Sequence, residues 1–169
     1  KFLGFDIFIR RSNDLRKDIN GKTIRSLGHV PVLYLNYETM RKKLFDYKAA
    51  RIAVENGKEI WKSIVRTYMI DLDDLEIVSQ FNAEIRGFYN YYSIANNSPA
   101  INSFYHIMSY SMYKTFARKY KSSVKKILFQ YKKDGTFKVA YENSKGKTLY
   151  QSFYHDGFKR KKIAGATSC

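Results

Sequence analysis

Cysteine is almost absent from this chain and acidic residues are scarce. The one cysteine, Cys169, stands at the extreme end of the 169 residues, so no internal disulfide can form and no cysteine cage can hold a metal. No apolar run approaches the roughly 18 residues needed to cross a bilayer. No opening segment has the charged, apolar and small-residue order of a signal peptide, which fits a reducing, cytoplasmic compartment. Fifteen Asp and Glu face 31 Lys and Arg, a formal charge of +16. Self-repulsion on that scale opposes compaction unless a polyanion offsets it, so a nucleic acid or an anionic membrane surface is implied.

What is present points to a folded protein. Hydrophobic residues make up 44% of the chain and aromatics 17%, with 15 Tyr and 12 Phe, a composition that disordered chains lack. Leu3, Phe5, Ile7 and Ile9 alternate with other residues in the period of a strand. Asn20-Gly21 suits a tight turn, and Val30 to Leu35 reads as another strand that Pro31 marks as an edge or a start. Residues 1–35 therefore look like the margin of a β-containing domain.

From residue 36 the pattern becomes helical. Asn36 can cap a helix through Met40, Leu44 and Tyr47, and Asn56-Gly57 makes a turn between short segments. Leu75, Val78, Phe81, Ile85, Phe88, Tyr89 and Tyr92 step by three and four residues, so one helix face is apolar. Ser98 and Pro99 open what reads as a single long helix with a stripe from Ile101 to Leu128, closed by Gly135. Residues 136–141 and 148–154 alternate like a hairpin, followed by a basic tail. The expected fold is mainly α: a helical bundle over 36–133, short β segments over 1–35, and a β-hairpin with tail over 134–169.

Two cationic groups stand out. No acidic residue lies between Glu84 and Asp134, an interval that holds Arg86, Lys114, Arg118, Lys119, Lys121, Lys125, Lys126, Lys132 and Lys133. On one continuous helix Lys114, Arg118, Lys121, Lys125 and Lys132 would form a stripe opposite Met112, Phe116 and Ile127. Ordinary solvated faces mix both signs, so nucleic-acid contact is expected. The second group, Lys159-Arg160-Lys161-Lys162, follows Phe153-Tyr154-His155 and Phe158. A mobile tail of this kind reaches phosphates, and an exposed aromatic stacks on an unpaired base.

Asp71, Asp73, Asp74 and Glu76 imitate the paired aspartates of a polymerase, but they precede a helical pattern, so Asp73 and Asp74 are expected to serve the helix start. His29, His106 and His155 are too scattered for a metal signature, and no catalytic constellation is visible. Arg86 has two open readings, a fork to phosphate or a pair with an acid inside the bundle. Gly87 beside it would permit close backbone approach to a neighbour.

These residues resemble a family. Lys1-Phe2-Leu3-Gly4-Phe5 resembles the last palm block of group II intron reverse transcriptases. Asn82-Ala83-Glu84-Ile85-Arg86-Gly87-Phe88-Tyr89-Asn90-Tyr91-Tyr92, with Ala95-Asn96-Asn97 after it, resembles the signature of their maturase domain, domain X. Residues Tyr113 to Tyr120 resemble its next helix, and Trp61 with Arg66 suits the segment before. The resemblance implies a thumb of packed helices that grips intron RNA for splicing and guides template-primer RNA or DNA. RNA contact is then expected at Arg66, Arg86, Lys114, Arg118, Lys119, Lys121, Lys125, Lys126, Lys159, Arg160, Lys161 and Lys162. The family's catalytic aspartates lie upstream of the first block, so this chain is expected to be no polymerase by itself and to carry no cofactor, magnesium belonging to the palm. The competing expectation is a basic structural protein of RNA or membrane surfaces.

Overall fold

The computed structural model describes residues 3–12, 15–25 and 28–161. Lys162 lies outside them. Strand β1 (Phe5–Ser12) pairs antiparallel with β4 (Gly28–Leu35), setting Phe5 opposite Leu35 and Ile9 opposite Pro31. Between them β2 (Leu15–Lys17) and β3 (Thr23–Arg25) form a small ribbon. Its turn is tied by the Asp18 carboxylate, which accepts from the Asn20 and Lys22 amides at 2.9 and 2.8 Å.

Helix α1 (Tyr37–Asp46) starts where Asn36 accepts from the Glu38 amide at 2.7 Å, and it buries Met40 and Leu44. The short segments after it are a full hairpin, β5 (Ala50–Glu55) with β6 (Lys58–Ser63). Asn56 and Gly57 both take positive φ, the geometry that matches strand twist. Helix α2 (Asp74–Tyr92) begins at a capping box between Asp73 and Glu76, in which the Glu76 carboxylate accepts from the Asp73 amide at 3.2 Å. It buries Ile77, Val78, Phe81, Asn82, Ile85, Phe88 and Tyr92.

Helix α3 (Ile101–Lys119) occupies the middle, touching α1, α2 and the β5–β6 hairpin. Phe104 stacks on Phe88 of α2 with centroids 4.1 Å apart. Pro99 does begin this region, but in a tight 3-10 turn, Ser98–Ala100, whose buried serine does not cap the helix.

The single long helix expected through residue 128 does not form. It stops at Lys119, Lys121 turns to φ +45°, and the Ser122 amide returns to the Ala117 carbonyl at 2.8 Å. Ser123 then caps a separate helix α4 (Val124–Tyr131), its hydroxyl accepting from the Lys126 amide at 3.3 Å. Adjacent serines compete for backbone partners, which favours a stop and a new start over continuation. Gly135 closes no helix. With Asp134 it makes the positive-φ turn between β7 (Lys132–Lys133) and β8 (Thr136–Glu142), and β9 (Thr148–Ser152) completes that sheet.

Mainly α therefore does not describe the chain. Among the described residues four α-helices share the fold with nine strands, in three two-stranded sheets and one three-stranded sheet. The extra strands come from β-branched runs such as Ile52, Val54 and Ile60 around asparagine-glycine turns, a local preference that the helical neighbours do not override.

Charges hold the helices together. Asp74 accepts from Lys119 Nζ at 2.8 Å, from the Tyr120 hydroxyl at 2.7 Å and from the Tyr131 hydroxyl at 2.8 Å, joining the start of α2 to the ends of α3 and α4. Asp73 thus serves the helix start as expected, while Asp74 serves a three-helix joint. The shared proton-donating geometry and burial push the Tyr131 hydroxyl far above its ordinary pKa, burial being the larger cause.

Candidate nucleic-acid interface

The motif residues divide into those that build the fold and those left for a partner. Asn96 and Asn97 build: the Asn96 side-chain oxygen accepts from the Leu33 amide at 3.2 Å, and the Asn97 amide group brackets Leu35, accepting at 2.7 Å and donating at 3.0 Å. They fasten the loop after α2 to β4. Gly4, at φ +81°, lies so close to α2 that an added Cβ would stand 2.5 Å from the Tyr92 hydroxyl. Tyr91 donates to the Leu3 carbonyl at 3.1 Å, and Tyr92 is core.

Arg66, expected to meet RNA, is a core residue with 1% of its surface exposed. Its Nη1 lies 2.7 Å from Glu84 Oε2, an ionic contact rather than an aligned hydrogen bond, since the buried Arg66 Nε and Glu84 Oε2 have no hydrogen-bond partner. The guanidinium lies 4.0 Å from the Phe81 ring centroid, and its backbone amide donates to Thr115 at 3.0 Å. A weakly hydrated planar cation tolerates such a site better than an ammonium. Lys114 and Lys119 are also spent internally, their amines donating to the Ser63 carbonyl at 2.7 Å and the Leu72 carbonyl at 2.6 Å. Because the helix breaks at Lys121, the expected stripe does not exist as one line.

The basic tail is not loose as far as residue 161. Asn82, buried on α2, donates to the Ser152 carbonyl at 2.9 Å and accepts from the Tyr154 amide at 2.8 Å. Tyr105 donates to the Tyr154 carbonyl at 2.6 Å, Tyr89 to the Lys159 carbonyl at 2.8 Å, and the Lys161 amide to the Ser93 carbonyl at 2.8 Å. Tyr154 and Phe158 stack on each other and are buried, so Phe158 is an anchor and not a stacking platform for RNA. Residues 153–161 form a strap over α2 and α3.

This strap brings Lys161 of the second cationic group to the same cleft as Arg86. A cleft of about 240 Å³ is lined by Arg86, Tyr89, Asn90, Tyr154, Asp156, Gly157 and Lys161. Lys161 Nζ sits 5.0 Å from the Tyr89 ring centroid and 3.2 Å from the Asn90 side-chain oxygen. Arg86 and Lys161, both in its lining, are exposed, and so are Lys159 and Arg160 next along the strap. Of the two readings of Arg86, a place inside the bundle is ruled out by that exposure. Gly87 faces open space, with nothing in the protein for a Cβ to meet, so no neighbouring segment explains it.

A second cationic region surrounds the helix break, where Arg118, Lys121, Lys125 and Lys126 are all exposed. Lys125 and Lys126 lie in the first turn of α4, which contains no acid. A larger hollow of about 520 Å³ lies between Tyr37, Trp61 and α3, but its Glu59 is engaged by Arg41 at 3.1 Å and by Trp61 at 3.1 Å. That hollow offers no free cation for a phosphate. What the sequence could not reveal is Phe129, almost wholly exposed beside Lys125 and Lys126. Its signal was its place in the helix, legible only once Ser123 is known to restart the turn count.

No helix among the described residues is long and apolar enough to cross a membrane. A family model for the type II intron maturase matches residues 33–164, from within β4 through the strap. The chain is 35% identical over 148 residues to the group II intron-encoded protein LtrA of Lactococcus lactis subsp. cremoris, and equally so to the protein of that name from strain MG1363. These 148 residues cover 87% of this chain but 24% of those relatives' length. The chain belongs to the type II intron maturase family.

Proposed function

We propose that this chain is an RNA-gripping maturase module, which holds group II intron RNA in a splicing-competent shape and serves template-primer binding in a longer reverse transcriptase. The observation that carries this is the cleft that Arg86 from α2 and Lys161 from the strap line together, with Lys159 and Arg160 exposed next to Lys161 in the same strap. Forked and point cations within reach of each other suit the phosphates of a folded RNA backbone. The module's part is binding rather than phosphoryl transfer. Asp73 and Asp74 are engaged by a capping box and by three cross-helix donors, so neither is free to hold magnesium.

The test is binding of the chain to a group II intron RNA across a salt series. Each phosphate neutralised should contribute a slope of about 0.7 to 0.9 in log affinity against log salt. Changing Arg86 and Lys161 to Gln together should flatten the slope by about one and a half units. A chain that binds anionic vesicles but no RNA would favour the membrane-surface alternative instead.

A further inference from the structure

The outward face of α4 has a composition that the core does not need. Ile127 is buried, and Val124, Leu128 and Tyr131 pack partly against the core, the three-four spacing of one helix face. That spacing leaves Lys125, Lys126, Phe129 and Gln130 pointing away, and all four are exposed. Phe129 is 91% exposed. A lone exposed apolar residue is common and means little. Here the neighbours decide: Phe129 follows Lys126 by three positions and Lys125 by four, so both cations share its face.

We propose that Phe129 is a base-stacking residue, whose ring receives an unpaired nucleobase while Lys125 and Lys126 hold the flanking phosphates. This rests on the RNA-binding role proposed above and names the kind of RNA element that α4 takes. A ring offers every base a π-face, which makes such contact tolerant of sequence. Gln130, next along the helix, adds an amide that can donate to or accept from a base edge. A second copy of this chain is a poor occupant, because it would bring another +16 against the same cations. A paired duplex is also a poor occupant, since its bases are already stacked on each other.

The experiment compares two RNAs carrying equal numbers of phosphates, a hairpin with 2-aminopurine in an unpaired loop and a blunt duplex. Phe129→Leu keeps an apolar helix former and removes the ring, at a site exposed enough that folding is unaffected. It should weaken hairpin binding roughly tenfold, leave duplex binding within about twofold, and abolish the fluorescence change of the loop base. Phe129→Trp should restore the hairpin affinity. The salt slope should not move, because no charge is altered.

Equal losses on both RNAs, or no loss on either, would overturn the stacking role while leaving RNA binding by the module intact. So would sedimentation showing a dimer that Phe129→Leu converts to monomer, since a second copy would then cover the ring. If the unaltered chain bound neither RNA, the module's RNA-binding role would fall, and this assignment with it.

Discussion

The strap and α4 carry the same kind of residue in opposite ways. In the strap, side chains from α2 and α3 hold the backbone of residues 152–161, and its cations are fixed because the main chain beneath them is fixed. In α4 the helix makes its own backbone bonds, and only one narrow face is anchored. A run of lysines looks alike in both sequences. What differs is whether distant residues reach the backbone, and that decides which region offers a preformed cleft and which offers a projecting face.

The sharpest way to break this comparison is Asn82→Ala. It leaves the Tyr154 amide unpaired in a buried place, at about 1–3 kcal/mol, and takes from the Ser152 carbonyl one of its two donors, the Gln151 side-chain amide remaining. We expect a loss of that size in urea unfolding, with faster amide exchange in residues 152–161 and unchanged exchange in α4. Equal exchange in both regions would erase the distinction.

Alkali should produce a smaller loss from the strap side. Burial pushes the Tyr154 hydroxyl, and likewise Tyr113, up to about 12, against an ordinary value near 10. Folding thus favours the neutral phenol. That stability is fully present below pH 10 and is lost as the pH rises through about 12. Thermal melts should fall across that window, and Tyr154→Phe, which cannot ionise, should make the fall shallower.

For α4 the expected effect is on affinity. Changing Lys125 and Lys126 to Gln should flatten the salt slope of RNA binding by about one and a half units. It should also raise stability by a few tenths of a kcal/mol, because cations oppose the positive end of a helix. A loss of stability would mean that these lysines hold the fold. The smallest effect belongs to Gly87→Ala, which fills open space on α2 and should stabilise by up to about 1 kcal/mol. Weaker RNA binding by this variant, seen in the same salt series, would show that an RNA backbone passes close to Gly87.

Local signals were legible in the sequence and distant ones were not. Asn36, Asn56-Gly57 and the acidic start of α2 announce their caps and turns, because their partners lie within a few residues. The break at Lys121 is hidden in the sequence because apolar spacing continues past it, and only the paired serines argue otherwise. Arg66 could not be told from a surface arginine, since Glu84 and Phe81 reach it from another element. For the same reason the last cationic run, Lys159 to Lys162, reads as a tail in the sequence. Tyr89, which holds Lys159, lies 70 residues earlier, and Asn82, which holds Tyr154 at the strap's start, lies 72 residues before it.

That separation has a consequence for synthesis. A chain made from its amino terminus completes α2 and α3 long before residues 153–161 leave the ribosome, so Asn82 and Tyr89 wait in water for partners that do not yet exist. Tyr154 and Phe158, which will cover that surface, arrive after both helices. During the interval the nascent protein shows an aromatic, cation-rich flank, which is covered only when the 72-residue loop between Asn82 and Tyr154 closes.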